Sequence, residues 1–321
     1  MHPRIRQAAV LVLRPAARSV SLVTAADFLG AHRCADRLLR MNGEDLASLE
    51  VAASHGGGRV HLRMQRHGGA DQIARQVGDG GLWGFEPPLP ALFVELARSS
   101  DGVVVDVGAN TGLYALLAAA SNRAVHVHAV EPLPALAELL DANVTLNGRL
   151  ARRIHRHQVA LSDRTGTAML YLPAPCGTIV ETSASLDPAF KEEIATAVEV
   201  ETRTLDDLWL AIGRPQIGIV KVDTEGTEHL VLRGAARVLA ASQPIVVCEV
   251  LPRAALGELT ERLAASGYLD VRLRTDGLVV GTRVGYDPDA WNHAFVPRAK
   301  RSAFEAAARA AGVPVAHVVS D

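Results

Sequence analysis

Residues 103–112 read VVVDVGANTG, and this stretch decides the fold. An apolar run ends at Asp106, small or turn-forming residues follow at alternate positions, and a helix-like stretch begins at Leu113. This pattern is typical of a buried parallel strand that turns sharply into a helix. Because glycines let a ligand approach the backbone and a helix start exposes unpaired N–H groups, the stretch predicts a nucleotide-type cofactor loop. The residues expected to contact the cofactor are Asp106, Gly108, Ala109, Asn110, Thr111 and Gly112.

The glycine spacing of this loop indicates which cofactor it takes. A dinucleotide-binding loop has the pattern Gly-x-Gly-x-x-Gly, but Asn110 and Leu113 occupy its second and third glycine positions here. The loop therefore fits a pyrophosphate poorly, while Asp106 offers a carboxylate to a ligand that carries an ammonium group. S-adenosylmethionine has such a group and no pyrophosphate, so it is the predicted cofactor.

A second acidic residue supports this interpretation. Residues 125–130 alternate like a strand and are followed by Glu131, which lies about 20 residues beyond Gly112. An acidic residue at this distance, at the end of the second strand, is placed to accept both ribose hydroxyls. Pro132 follows it directly, and we expect a helix from Pro134 to the Asn147-Gly148 stop signal.

Further motifs follow in a fixed order along the chain. They are Val130–Pro132, Ala160–Asp163, Thr204–Asp206 and the sequence KVDTEGTE at residues 221–228. With VDVGANTG, these motifs resemble the FkbM family of S-adenosylmethionine-dependent methyltransferases over about residues 82–298. The resemblance implies a class I methyltransferase fold, which is a Rossmann-like, doubly wound α/β sheet of seven strands with one antiparallel strand. It also implies O-methylation of a hydroxyl on a sugar, glycan or secondary metabolite.

The same resemblance extends the cofactor site beyond the loop. Glu86 belongs to an aromatic-Glu pair just before the helix that precedes the cofactor strand, and we expect it beside the cofactor. Ser162 and Asp163 follow a predicted third strand at residues 157–161 and would lie beside the adenine, although Asp163 also suits a plain turn before Gly166.

A group of carboxylates follows the predicted fourth strand, Ile217–Val222. Asp223 can face the methionine end of the cofactor, and Glu225 and Glu228 can complement a helix N-terminus. A divalent metal held together with Glu249 is a third alternative that ranks last, because oxygen-rich metal sites usually show more ligands at closer spacing. The prediction is therefore a site without a metal.

Proton removal from a hydroxyl acceptor needs a nearby base. Asp223, Glu225 and His229 are the predicted catalytic residues, with His293 behind them. Two other functions compete with this interpretation. A nicotinamide-dependent oxidoreductase conflicts with Asn110, and a non-catalytic module that keeps the cofactor pocket leaves the intact acidic residues Asp106, Glu131 and Asp223 unexplained.

Composition limits the function classes and the partners. The chain has 321 residues, 49% of them apolar, and a net charge of −2, so no basic field would attract nucleic acid. The three cysteines are widely spaced, which argues against disulfides and structural zinc and favours a reducing compartment. No apolar run approaches the ~20 residues of a membrane span. We expect a soluble cytoplasmic protein, compatible with a homo-oligomer, that acts on a small-molecule or glycan hydroxyl.

The predicted organisation has three parts. Residues 1–95 form an accessory cap, residues 96–300 the methyltransferase domain, and residues 301–321 a helical tail. Trp83 and Phe85, in a chain that is only 4% aromatic, can either form a flat wall for a ligand or anchor their loop on the core. The Pro-, Gly-, Ser- and Thr-rich residues 173–185 lie between the third and fourth strands, and we expect them to form an acceptor-binding loop.

Overall fold

The strand of the cofactor motif, Val103–Val107, lies inside a large mixed sheet. The computed structural model describes residues 46–52, 59–174, 180, 182–315 and 318–320. The strands in these ranges are β1 Leu46–Ala52, β2 Arg59–Gln65, β3 Val103–Val107, β4 Val127–Val130, β5 Ile154–His157, β6 Ala160–Leu161, β7 Gly166–Pro173, β8 Ile194–Arg203, β9 Ile217–Val222, β10 Ile245–Glu249, β11 Tyr268–Arg274, β12 Gly277–Gly281, β13 Asn292–Pro297 and β14 Val318–Ser320.

The order of the strands creates the ligand crevice. Among the described residues the large sheet has nine strands, ordered β14-β12-β11-β13-β10-β9-β3-β4-β5. Strand β3 pairs in parallel with β4 on one side and with β9 on the other, and Val107 is level with both Val130 and Val222. Because the chain runs to opposite sides of β3, the strand order reverses there, which is where open α/β sheets bind ligands at their carboxyl ends.

The predicted α/β class and its antiparallel strand are confirmed, and the sheet is wider than expected. Seven of its strands, β5-β4-β3-β9-β10-β13-β11, follow the implied arrangement, with β13 antiparallel to both neighbours. Strands β12 and β14 then extend the sheet, and both oppose the main direction. The tail predicted as helical therefore also contributes a short strand, because residues 318–320 pair with β12.

The third strand lies earlier than predicted. Residues 154–157 pair with β4 in the large sheet, whereas Ala160–Leu161 pairs with β8 in a separate sheet ordered β6-β8-β7. We call this three-stranded sheet and the residues between β7 and β8 the insertion. It occupies the predicted position between the third and fourth strands of the fold. Residues 175–179 and 181 of the predicted acceptor loop lie outside the described residues.

Helices cover both faces of the large sheet. Two short helices follow β9, and Gly234 lies between them at a position where a Cβ atom would be 2.1 Å from the carbonyl oxygen of Ser162. None of the helices in the described ranges is long and apolar enough to cross a membrane. The helices are α1 Gln72–Gly80, α2 Leu89–Ser99, α3 Leu113–Ser121, α4 Pro134–Leu146, α5 Leu205–Ala211, α6 Glu228–Arg233, α7 Ala236–Ser242, α8 Leu256–Ala265 and α9 Arg301–Ala310.

The described part of the accessory segment packs on the main domain. Leu62 and Met64 of β2 and Val77 of α1 are buried in the same apolar core as Leu116 of α3. The segment therefore contributes to the core that supports the cofactor loop, while the predicted domain boundaries stay a prediction. Cys248 is buried, as expected for a core thiol.

Candidate active site

A cavity of about 430 Å³ opens at the carboxyl ends of β3, β4, β9 and β10. Its size falls within the ~300–1,000 Å³ typical of small-molecule sites. Residues from the accessory segment, the large sheet and the insertion form its walls. The predicted site residues that line it are Glu86, Gly108, Ala109, Asn110, Glu131, Pro132, Asp223 and Glu225.

Gly108 brings the cofactor loop against the end of β9. Its φ of +73° lies in the left-handed region, and a Cβ atom there would lie 1.8 Å from the carbonyl oxygen of Asp223. Real Cβ atoms do not approach backbone this closely, so only glycine fits. The loop therefore follows the floor of the cavity with its backbone exposed to a ligand.

Substituting Gly108→Ala is expected to weaken binding of S-adenosylmethionine by at least about 100-fold, because the added methyl group forces the loop away from Asp223 by roughly an ångström. Calorimetric titration with the donor measures the loss. Gly148→Ala is the matched control, since Gly148 also has a positive φ, +47°, but open space around its Cβ position. Equal losses in the two variants would show that backbone strain alone is responsible.

Asn110 explains why the loop departs from the dinucleotide pattern. Its φ is +53°, a conformation that asparagine tolerates better than most residues. Its side-chain oxygen accepts a hydrogen bond from Thr111 N at 2.8 Å, and its side-chain nitrogen donates to the carbonyl oxygen of Thr182 at 3.4 Å. Asn110 therefore keeps the turn that a glycine would make and ties the loop to the insertion.

Glu131 fixes the loop from the neighbouring strand. Its carboxylate oxygens accept hydrogen bonds from Asn110 N and Leu133 N, each at 2.9 Å. Burial raises the pKa of Glu131 to about 7, against the effect of these two hydrogen bonds. Each carboxylate oxygen has a second lone pair, so Glu131 can still accept a hydroxyl from the cavity that it lines.

A buried lysine lies under the cavity among acidic groups. Lys221 is only 3% exposed, and its Nζ lies 2.9 Å from Asp223 Oδ2 and 4.7 Å from the centre of the Tyr114 ring. Tyr114 donates a hydrogen bond to Glu86 Oε2 at 3.0 Å. Burial alone would lower the pKa of Lys221, but the charges of Asp223, Asp106 and Glu86 raise it above its usual value. The lysine therefore balances part of the negative charge around the cavity.

Sequence reasoning missed both Lys221 and Tyr114 as cavity residues. A signal was present, because Lys221 interrupts an apolar strand in a chain with only three lysines. Gln72, Ile73 and Trp291 also line the cavity although their sequence surroundings gave no hint of it.

Residues 106–269 match the family described as the methyltransferase FkbM domain. The chain belongs to this family. Membership confirms the predicted class, an S-adenosylmethionine-dependent methyltransferase, and with it the predicted cofactor.

Individual FkbM relatives show how far the similarity extends. The 31-O-demethyl-FK506 methyltransferase FkbM of Streptomyces tacrolimicus is 30% identical over 207 residues, which cover 57% of this chain and 78% of the relative. The methyltransferase sdnD of Sordaria araneosa is 29% identical over 158 residues, which cover 42% of this chain and 61% of the relative. A solved methyltransferase FkbM from Methylobacillus flagellatus KT is 17% identical with a TM-score of 0.40, and the match covers 60% of this chain and 43% of that one.

Several predicted cofactor residues of this FkbM-family chain lie outside the cavity lining. Asp106 is completely buried under the loop. Burial raises its pKa to about 6, although the positive charge of Lys221 acts to lower it. Its predicted contact with an ammonium group is therefore not a direct one in this geometry. Thr111 and Gly112 lie behind the loop, where Asn143 donates a hydrogen bond to the carbonyl oxygen of Thr111 at 2.8 Å.

The predicted adenine-side residues are also displaced. Neither is among the described residues that line the cavity: Ser162 N donates to the carbonyl oxygen of Arg203 at 2.8 Å, and Asp163 pairs with Arg233 at 3.0 Å. The cause is that β6 leaves the large sheet and pairs with β8. Residues 159–161, just before them, line the cavity instead.

Glu225 joins β9 to the insertion. The hydroxyl of Ser185 donates to the carbonyl oxygen of Glu225 at 2.8 Å, and Thr182 and Ser183 line the cavity nearby. Burial raises the pKa of Glu225 to about 7, and the charge of Asp223 adds to the effect while Lys191 opposes it. A carboxyl group with this pKa can gain or lose a proton near neutral pH.

The remaining candidates have structural roles. Glu228 Oε1 accepts hydrogen bonds from Thr224 N at 2.9 Å and Gly226 N at 3.1 Å, so it holds the turn that leads into α6. His293 is fully buried and pairs with Asp270 at 2.6 Å. His229, on α6, is not among the described residues that line the cavity. In the described part of the chain, no three His, Cys, Asp or Glu side chains are arranged to hold a metal.

Trp83 and Phe85, before α2, were predicted either to form a wall for a ligand or to anchor their loop on the core. Phe85 lines the cavity and also packs on the main apolar core. Trp83 is 43% exposed and lies outside the lining that the structure describes. Only Phe85 is therefore positioned to form part of a wall for a ligand.

Proposed function

We propose that this FkbM-family methyltransferase transfers a methyl group to a hydroxyl oxygen of a sugar, glycan or secondary metabolite. The observation that carries the proposal is Glu225, a half-buried carboxyl group at the cavity edge under the insertion, whose pKa is raised to about 7 by its desolvation. Such a group suits a general base that works at neutral pH. The Streptomyces tacrolimicus relative, named for 31-O-demethyl-FK506, supports an oxygen acceptor.

The residues of the cavity fit the donor. Gly108, Ala109 and Asn110 bring the loop to the cavity wall, Glu131 has lone pairs free for ribose hydroxyls, and the carboxyl groups around Lys221 outnumber this buried lysine. A net negative wall suits a ligand with a sulfonium and an ammonium group. When bound, S-adenosylmethionine supplies a methyl group that forms a bond to the acceptor oxygen while the electrons of the broken carbon–sulfur bond stay on sulfur.

The protein contributes position and a proton acceptor. We assign Glu225 as the base that takes the hydroxyl proton of the acceptor. Asp223, held by Lys221 at 2.9 Å, keeps a fixed negative charge beside the reacting groups. Because the methyl group leaves an already activated sulfur, correct alignment of the two ligands supplies most of the remaining rate enhancement. His229 is left out of the assignment because it does not reach the cavity wall.

Parallel calorimetric titrations test the donor assignment. The protein is titrated with S-adenosylmethionine, S-adenosylhomocysteine and NAD, with and without a chelator. We expect both adenosyl ligands to bind, NAD not to bind, and the chelator to change nothing. A folded protein that binds neither adenosyl ligand would contradict the proposed function.

Substituting Glu131→Ala is expected to weaken binding of both adenosyl ligands at least about tenfold, because the backbone N–H groups of Asn110 and Leu133 lose their acceptor and the ribose loses its own. Glu131→Gln keeps one acceptor oxygen in the same place and should lose less. Titration of the two variants with S-adenosylhomocysteine distinguishes them. Unchanged affinity in Glu131→Ala would remove Glu131 from the cofactor site.

A further inference from the structure

A second cavity of about 210 Å³ adjoins the first. The two share Glu86, Glu249 and Trp291, so these side chains form the boundary between them. Beyond the boundary, the second cavity is lined by Asp289 in the loop that precedes β13 and by Asn292, the first residue of β13. The arrangement provides a separate chamber that opens onto the place where donor and acceptor must meet.

Glu249 presents a polar group to both cavities without a partner. It is the last residue of β10, and its Oε2 is buried with no hydrogen-bond partner among the described residues. Burial, and then the charges of Asp223 and Glu225, raise the pKa of Glu249 well above its usual value. A carboxyl group accepts hydrogen bonds through its oxygens and, when protonated, also donates one. A buried carboxyl oxygen without a partner is able to accept a hydrogen bond from a ligand in the cavity.

Trp291 presents a flat apolar face at the same boundary. Its side chain is 52% exposed, which is high for a tryptophan. Its carbonyl oxygen accepts a hydrogen bond from Val250 N at 2.7 Å, so the backbone is fixed while the indole ring stays open. An exposed aromatic ring on a fixed backbone suits stacking against the apolar face of a ligand.

The charges of the residues that line the second cavity limit which ligands it can bind. The described residues that line the second cavity include Glu86, Glu249 and Asp289, and they include no lysine, arginine or histidine. No basic side chain among these lining residues could therefore pair with an anionic ligand. Hydroxyl groups, in contrast, can donate hydrogen bonds to the carboxyl oxygens that line this cavity.

We propose that the second cavity is the acceptor subsite, and that it takes an uncharged hydroxylated ring with one apolar face, such as a pyranose sugar. The ring stacks on Trp291, and its hydroxyls bond to Glu249. This inference rests on the proposed methyl transfer, because the subsite directs one ring hydroxyl toward the first cavity. The proposal also predicts that acidic sugars and phosphorylated acceptors bind poorly to the second cavity.

Saturation-transfer NMR tests the proposal with a matched pair of probes. The protein is first saturated with S-adenosylhomocysteine, and methyl β-D-glucopyranoside or methyl β-D-glucopyranosiduronate is then added at equal concentration. We expect transfer to the ring protons of the neutral probe and a signal at least about tenfold weaker for the acid. Trp291→Ala should reduce the neutral signal at least about fivefold, and Trp291→Phe should retain most of it.

Control measurements distinguish failure of the subsite proposal from failure of the proposed methyl transfer. Trp83→Ala removes an exposed tryptophan outside both cavities and should bind the neutral probe like the parent protein. Equal signals from the two probes, or no signal from either, would overturn the proposal. A tenfold loss of S-adenosylhomocysteine affinity in Trp291→Ala would assign the second cavity to the methionine end of the donor, which also overturns it. Failure of the proposed function itself would show as no S-adenosylhomocysteine binding by the parent protein.

Discussion

Replacing Glu225 with glutamine is expected to lower the turnover number about 10²- to 10⁴-fold while donor affinity stays the same. The amide has the shape of the carboxylate but cannot take the proton of the acceptor hydroxyl. Release of S-adenosylhomocysteine against a panel of hydroxylated acceptors measures turnover, and calorimetry measures donor affinity. His229→Ala serves as the control and should retain turnover within about twofold, because His229 is not among the described residues that line the cavity.

The pH profile provides a second test of the same residue. The base form of Glu225 predominates above its pKa of about 7, so turnover should rise with pH through about 7 and then level off. The Glu225→Gln variant should lack this rise. A rise that persists in the glutamine variant would assign the titration to another group, and an active glutamine variant would remove Glu225 from the mechanism.

Replacing Lys221 with methionine is expected to lower the free energy of unfolding by about 3–5 kcal/mol. The substitution removes the positive charge that pairs with Asp223 at 2.9 Å and attracts the buried carboxylates of Asp106 and Glu86. Urea denaturation measures the change. Lys300→Met is the control, because Lys300 is not among the described residues that line the cavity and donates a hydrogen bond to the carbonyl oxygen of Gln243, so its loss should cost about 1 kcal/mol.

The effect of the Lys221 substitution should depend on pH. Burial already raises the pKa of Asp106 to about 6 in the presence of Lys221, and removing the lysine raises it further. Protonation therefore relieves the uncompensated charge at low pH. The stability difference between the variant and the parent protein should be smaller at pH 5 than at pH 8. A difference that does not change with pH would mean that lost packing, and not lost charge, destabilises the variant.

The parts of the site that could be predicted are those fixed by local sequence. The turn after β3 requires Gly108 and Asn110 because of their backbone conformations, and Glu131 lies at a set distance along the chain. These constraints act within one strand-helix-strand unit, from β3 to the end of β4, so they can be read from a short stretch of sequence. The parallel arrangement of β3, β4 and β9 followed from the same reasoning.

The parts that could not be predicted depend on contacts between distant segments. Lys221 acquires its role from Tyr114 and Glu86, which are remote from it in sequence. Asp163 was predicted beside the adenine because the third strand was assigned to residues too far along the chain. Strand β6, which precedes Asp163, in fact pairs with β8. Trp291 and Glu249 meet only because β13 pairs with β10 in antiparallel register. None of these contacts follows from hydrophobic periodicity.

The wall of the main cavity extends from Gln72 in the accessory segment to Trp291 before β13, so its residues span most of the described chain. A partly unfolded molecule cannot assemble such a wall, and the donor therefore binds the native state alone. Thermodynamic linkage then makes the donor a stabiliser of the whole protein, adding about 2.7 kcal/mol at a concentration 100 times its Kd. When methyl donor is scarce in a cell, this protein will be the more readily degraded by proteases that act on unfolded chains.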